Sequence, residues 1–294
     1  MSGTVGIIGL GIMGGAMARS LKRADFDVIG FDIDEVAVAS ARAAGVRIAA
    51  TVAAVAERTD NIILSLPSAK AAIATAQILA GIDSRSCTIV ETSTLALVDK
   101  MAIHSCLSDA GHTVLDCPLS GTGAQAVTKD LVIFASGDAS AIQRLEPVFL
   151  GFGRQVKFLG AYGNGSKMKF VANLLVAIHN VASAEAMVLG MKAGLDPHQI
   201  VDVVASGAGN SRVFELRAPM MARNDYMPPT MRARNWKKDM AVIGAFASEL
   251  ECPTPLFNAT SALYDAALAM GREAQDVAGV CAVFEIMAGL KRTV

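Results

Sequence analysis

Along the first half of the chain, short apolar runs rich in β-branched residues alternate with longer segments whose apolar positions recur at helical spacing. Thr4–Gly9 (TVGIIG), Asp27–Asp32 (DVIGFD), Asn61–Leu66 (NIILSL), Cys87–Glu91 (CTIVE), Thr113–Asp116 and Leu131–Ser136 (LVIFAS) have the length and composition of buried strands. Strands alternating with helices in this way predict an α/β fold, a doubly wound and mainly parallel sheet of the Rossmann type. From about Gly165 these runs stop. Residues 166–193 hold no proline and a single interior glycine, Gly190. They predict a helix of about 28 residues, roughly 42 Å long, apolar round most of its circumference and so buried on several sides. Gly194 should end it, and Asp196–Pro197 should cap and open the next helix. Further helices are predicted near 197–206, 236–250, 255–270 and 273–290, with an irregular connection at Pro228–Pro229. The pattern divides the chain into a nucleotide-binding half, 1–162, and an all-helical half, 163–294, which begins with the long helix joining the two.

Composition narrows the functions this architecture could serve. A length of 294 residues suits two domains of ordinary size. With 26 Lys and Arg against 27 Asp and Glu, the chain lacks the basic excess of a nucleic-acid or membrane-surface binder. Its apolar stretches are interrupted by polar or charged residues before the ~18 uninterrupted positions of a membrane span. No basic leader precedes the first strand, so a cytoplasmic protein is expected. Cys87, Cys106, Cys117, Cys252 and Cys281 show no CxxC spacing, the pattern of reduced, mostly buried thiols. His104, His112, His179 and His198 are scattered without ligand spacing, so they read as structural residues and no metal is expected.

The first strand runs directly into GLGIMG, which places Gly9, Gly11 and Gly14 in the GxGxxG spacing around Leu10, Ile12 and Met13, and a helical segment follows. Gly9 permits the tight turn, Gly11 lets backbone N–H groups approach a pyrophosphate, and Gly14 lets the helix pack close to the strand. The strand before and the helix after are the context that gives this motif its meaning, a dinucleotide cradle. The second strand ends in Asp32, eighteen positions after Gly14. A carboxylate there can accept both ribose hydroxyls of NAD and would repel a 2′-phosphate. No Arg or Lys follows within IDEVAVASA, so NAD is expected over NADP, while Asp34 is free to cap the next helix. Ligands of such sheets sit at the carboxyl ends of the strands, which puts Leu66–Pro67, Ser93–Thr94 and Ser120–Gly121 around one crevice.

Taken together, GLGIMGGAMARSL (9–21), SLP (65–67), TST (92–94), DCPLSG (116–121), GNGSKMK with Asn173, and KKDM (237–240) resemble the β-hydroxyacid dehydrogenase family over nearly the whole chain. That family includes 3-hydroxyisobutyrate dehydrogenase, tartronate semialdehyde reductase and glyoxylate/succinic semialdehyde reductases. The resemblance implies that Gly9, Gly11, Ile12, Met13 and Gly14 bind the cofactor. It implies that Leu66, Pro67 and Thr94 line the nicotinamide site, which Lys238 reaches, and that Ser120 and Gly121 hold a small substrate's carboxylate. It makes Lys169 the proton-transferring residue, with Asn173 beside the substrate. The chain departs from the family pattern at Thr122, Gln125 and Lys129, where glycines are usual. A side chain at Thr122 would narrow the pocket or add a hydroxyl contact. The implied function is hydride transfer between NAD(H) and a small 3-hydroxy acid or the matching semialdehyde. The long helix, apolar nearly all round, predicts a homodimer or homotetramer. An imine reductase and a non-catalytic NAD-binding scaffold share the fold; the retained Lys169 argues against both.

Lys167 and Lys169 both stand at the head of the long helix. At 3.6 residues per turn, residues two apart point about 200° from each other, so the two lysines cannot share a face. Asn173 lies one turn beyond Lys169 on the same stripe. A cleft that reaches Asn173 therefore meets Lys169. Burial there, near Lys238, is expected to lower its pKa so that it can exchange a proton with the substrate hydroxyl. Lys167 is left for solvated charge or a cofactor contact.

Overall fold

A computed structural model of the chain describes residues 3–82 and 86–292, with main chain alone at Ala124. The chain forms two compact units, Met1–Lys169 and Phe170–Val294.

In the first unit, β1 (Thr4–Ile8), β2 (Asp27–Phe31), β3 (Arg47–Ile48), β4 (Asn61–Leu64), β5 (Thr88–Glu91) and β6 (Thr113–Asp116) form one parallel sheet in the order β3-β2-β1-β4-β5-β6. This is the doubly wound arrangement that the alternating pattern predicts. Because side chains alternate across a strand, the apolar runs serve two cores at once. Ile7, Ile63 and Val90 join Leu21, Phe149 and Phe152 on one face, while Ile8, Ile62, Leu64 and Ile89 join Val55, Leu79 and Ile103 on the other. The sixth predicted run departs from expectation. Val132–Ala135 (β8) pairs antiparallel with β7 (Leu119–Ser120) and parallel with β9 (Gln155–Phe158), in a separate three-stranded sheet. A reciprocal bridge between Asp116 and Ser136 joins the end of β6 to this second sheet.

The long helix spans Asn164–Lys192, within two residues of the predicted ends. Gly194 follows at positive φ, and Asp196 caps the next helix, Pro197–Ala205, as the sequence predicts. By length and composition the long helix could cross a membrane, with a mean hydropathy of 1.6 over its most apolar window. In the second unit its Phe170, Ala177, Val181, Ala184, Met187 and Val188 belong to the core with Trp236, Ile243, Phe257 and Tyr264. The expectation that it is buried on several sides needs correction. Only 39% of that window is buried, and Val171, Leu175 and Leu189 are exposed. The core of the unit covers one side of the helix, and its apolar character continues past that side.

Arg212–Arg223 is a helix that the sequence reading lacked. Its signals were present: Ser211 accepts a hydrogen bond from Phe214 N, and Asn224 closes the helix in the left-handed region. Pro219, inside the helix, masked them. The last predicted helix starts later than expected, as a 3-10 turn Val277–Val280 followed by Cys281–Met287. Its start is held by Asp276, whose Oδ1 accepts from Ala278 N at 3.0 Å. Its Oδ2 accepts from Thr230 N and Thr230 Oγ1 at 2.7 Å each, and from Met231 N at 3.1 Å. The buried Arg217 approaches Asp276 at 3.6 Å.

Candidate active site

The glycine loop has the shape its spacing demands. Gly9 adopts φ +94°, and a Cβ at Gly14 would lie 1.8 Å from the Gly9 carbonyl oxygen, so helix and strand touch only because no side chain intervenes. The helix that follows, Ile12–Arg23, has neither a side-chain cap nor an acidic residue in its first turn, which leaves its N-terminal N–H groups to an anion. A Cβ at Gly11 would meet nothing within 4 Å, so the loop is open on that side. Ile12 is exposed and Met13 half-buried. Asp32 lies at the tip of β2 and is oriented by two backbone donors, Leu10 N at 2.5 Å and Asp34 N at 2.9 Å. Asp34 caps the next helix through Val36 N, as its position suggested. These features fit a dinucleotide: open backbone donors for a pyrophosphate, and a fixed carboxylate where a ribose would lie.

At the carboxyl ends of β4 and β5, the two predicted loops are tied together by Ser93. Ser93 Oγ accepts from Leu66 N at 2.9 Å, and Ser93 N donates to Glu91 Oε1 at 2.9 Å. Thus Leu66–Pro67 and Ser93–Thr94 are neighbours, as the crevice expected from strand order requires. Beyond β6 the chain passes Cys117 and Pro118 into β7, which carries Ser120, and then Gly121 and Thr122. Gln125 Oε1 accepts from Thr122 N at 3.0 Å and forms a capping box at the start of helix Gly123–Val127. Gln125 Nε2 also donates to Asp130 Oδ2 at 3.1 Å. The departures at 122 and 125 therefore form one hydrogen-bonded unit that shapes the loop. The expected second role for Thr122, an added hydroxyl contact, competes with its place in this cap.

The two lysines separate as the helical geometry predicts. Lys169 is 9% exposed and its Nζ donates to the Leu119 carbonyl oxygen at 2.7 Å, one residue before Ser120. Lys167 is exposed and donates to Asn164 Oδ1 at 3.3 Å. In the second unit, Asn173 is buried and donates to Asp239 Oδ2 at 3.2 Å, while Lys238 lies 3.7 Å from Asp239 Oδ1. Asp239 thus joins two predicted site residues. Its place beside Lys238 in the KKDM motif is the sequence signal that marks it. His112 is buried and its Nδ1 accepts from Cys87 N at 3.1 Å.

Comparison with known proteins turns this geometry into an assignment. Residues 4–160 match the family model described as the NAD binding domain of 6-phosphogluconate dehydrogenase. Residues 163–284 match the model described as NAD-binding of NADP-dependent 3-hydroxyisobutyrate dehydrogenase. The chain belongs to the β-hydroxyacid dehydrogenase family. It is 32% identical to L-threonate dehydrogenase of Cupriavidus necator, with 97% of each chain covered. Among solved structures, the dehydrogenase superposes on 3-hydroxyisobutyrate dehydrogenase from Salmonella typhimurium with a TM-score of 0.85 at 29% identity, covering 96% of this chain and 99% of that one. A 3-hydroxyisobutyrate dehydrogenase of Mycobacterium tuberculosis, solved with L-serine, gives a TM-score of 0.86 at 26% identity, over 97% and 99% of the two chains. As a family member the protein is a nicotinamide-dependent hydroxyacid dehydrogenase.

Proposed function

We propose that this dehydrogenase uses NAD to oxidise a small 3-hydroxy acid, or NADH to reduce the matching semialdehyde, with Lys169 as the general acid–base. The observation that carries this reading is the hydrogen bond from Lys169 Nζ to Leu119 O, 2.7 Å long and buried. It sets the side-chain nitrogen against the strand that delivers Ser120 and leads into Gly121. A carboxylate bound by Ser120 Oγ and the Gly121 N–H would hold its own hydroxyl within reach of that nitrogen. As the neutral amine, Lys169 then takes the hydroxyl proton during oxidation, and as the ammonium it returns that proton during reduction. When bound, the nicotinamide supplies the hydride acceptor or donor.

Gly9, Gly11, Ile12, Met13 and Gly14 would cradle the pyrophosphate, and Asp32 the adenosine ribose. Leu66, Pro67 and Thr94 would line the nicotinamide site, with Lys238 as a further contact and Asn173 on the substrate. Asp32 favours NAD, because its fixed charge opposes a 2′-phosphate. L-Threonate dehydrogenases recur among the relatives at 31–32% identity, so a hydroxylated four-carbon acid such as L-threonate is the first substrate to test. The exposed Val171, Leu175 and Leu189 of the long helix favour a homodimer or larger assembly. The protein's place would be the cytoplasm.

Side-by-side kinetics test the assignment. Lys169→Ala should lower kcat by roughly two to four orders of magnitude, the span of a general acid–base group, with NAD binding nearly unchanged. Lys167→Ala should cost far less. The opposite ranking would show that the wrong lysine was chosen.

A further inference from the structure

Lys100 has no part in the reading above, yet it is fully buried in the first unit. It lies on helix Leu97–Asp109, and its Nζ forms ion pairs with Glu91, on β5, and Asp116, on β6, both also fully buried. Placing three charged groups out of water is costly unless each is paired and hydrogen-bonded. The question is what the remaining lone pairs of the two carboxylates hold.

They hold functional backbone. Glu91 Oε1 accepts from Ser93 N at 2.9 Å, and Ser93 Oγ in turn accepts from Leu66 N at 2.9 Å. That arm fixes both loops assigned to the nicotinamide. Asp116 Oδ2 accepts from Ser166 N at 2.7 Å, and Oδ1 from Ser166 Oγ at 2.8 Å. Ser136 Oγ donates to the Asp116 carbonyl oxygen at 3.1 Å and accepts from Gly165 N at 2.9 Å. This second arm latches the first turn of the long helix, the turn that leads into Lys169. Gly165 makes the latch possible, since a Cβ there would lie 2.4 Å from Phe134 O and 2.6 Å from Asp116 O.

We infer that Lys100 is a positioning residue, whose ammonium joins Glu91 and Asp116 into one buried bridge that sets Lys169 against the loops at 66–67 and 93–94. The bridge acts through geometry. A displacement of about 1 Å at a reacting group can cost 10²-fold in rate, and the first helical turn has no other buried charge fixing its N–H groups among the described contacts. Burial pushes the Lys100 pKa down, but Glu91 and Asp116 outweigh it and leave the pKa raised, so the lysine stays cationic at neutral pH. This inference rests on Lys169 being the proton-transferring group.

Two variants test it without leaving two carboxylates facing each other unneutralised. Ser166→Ala removes one hydroxyl from the latch, and Lys100→Met combined with Glu91→Gln removes a charge of each sign. Both are compared with wild type and Lys169→Ala, with enzyme concentration set by folded, NAD-binding protein. The expected result is a fall in kcat of roughly 10- to 100-fold with KM and NAD Kd nearly unchanged, and faster amide hydrogen exchange at 166–169. A lower Tm with wild-type kcat per folded molecule would overturn the inference and leave the cluster a purely stabilising one. Wild-type kcat in Lys169→Ala would defeat the reading of Lys169 itself, a failure told apart because it concerns a variant in which the bridge is intact.

Discussion

In the first unit a buried lysine stands between two carboxylates; in the second a buried arginine stands beside one. Lys100 is matched by Glu91 and Asp116, and their pull exceeds the effect of burial, so its pKa is raised. Arg217 approaches Asp276, whose oxygens already accept four hydrogen bonds from Thr230, Met231 and Ala278. Its Nη1 is buried with no hydrogen-bond partner among the described residues, and burial, only partly offset by Asp276, lowers its pKa. The difference shows which partner each site depends on. In the first unit the cation is indispensable, because without it two buried carboxylates face each other. In the second the carboxylate does the organising, and the cation is an incompletely satisfied neighbour.

The largest expected effect is at Lys100. Lys100→Met alone should destabilise the fold by about 3–5 kcal/mol, the usual cost of removing one partner from a buried ion cluster, read from urea unfolding followed by circular dichroism. A loss under about 1 kcal/mol would erase the contrast. The sign of the pH dependence follows from the raised pKa. The stabilisation is complete below the ordinary lysine value of 10.5 and is lost only as pH rises through the higher folded value. Wild type should therefore show a decline in unfolding midpoint above that pH that Lys100→Met lacks.

Next in size is Asp276→Asn, which keeps the shape but weakens the acceptor of four donors; about 1–3 kcal/mol should be lost. Arg217→Met should be smaller still, within about 1 kcal/mol of wild type, since Asp276 keeps its four hydrogen-bond donors without the arginine, which stands 3.6 Å away. Thermal unfolding of the two variants decides the order. If Arg217→Met proves the more damaging, the second unit resembles the first after all.

The smallest effect concerns thiols, where the units should agree. Burial pushes the Cys281 thiol up to about 12 and, with the adjacent Asp116 charge, raises that of Cys117 as well. At pH 8 in the native state, maleimide should label the exposed Cys252 rapidly and leave Cys117 and Cys281 unmodified in a peptide map. Rapid labelling of either buried thiol would mean that its unit opens locally.

Much of this was legible in the residues. β1, β2, β4, β5 and β6 are buried on both faces, so each is a dense apolar run that cannot be mistaken for a turn. Gly194 and Asp196 announced where one helix stops and the next begins because their conformational roles are local. What stayed hidden was short or non-local. β3 and β7 have two residues each, too few for any period to show, and β9 is half exposed. Lys100 sits on a helix whose sequence gives no cue that a lysine points inward; only the strands beside it, contributing Glu91 and Asp116, make it a core residue. Ser93 and Asp239 lay inside recognised motifs, yet their roles depend on partners 27 and 66 positions away.

The latch between Asp116 and Ser166 also bears on how such enzymes can be recombined. The turn around Gly160–Gly163 looks like a convenient place to splice the front of one homologue onto the back of another, since it lies between the two family-model matches. Yet a crossover there takes Asp116 and Ser136 from one parent, and Gly165 and Ser166 from the other. Chimeras should succeed only where the parents agree on both sides of that contact, so a library built by shuffling would yield active clones in proportion to that agreement and not to overall similarity.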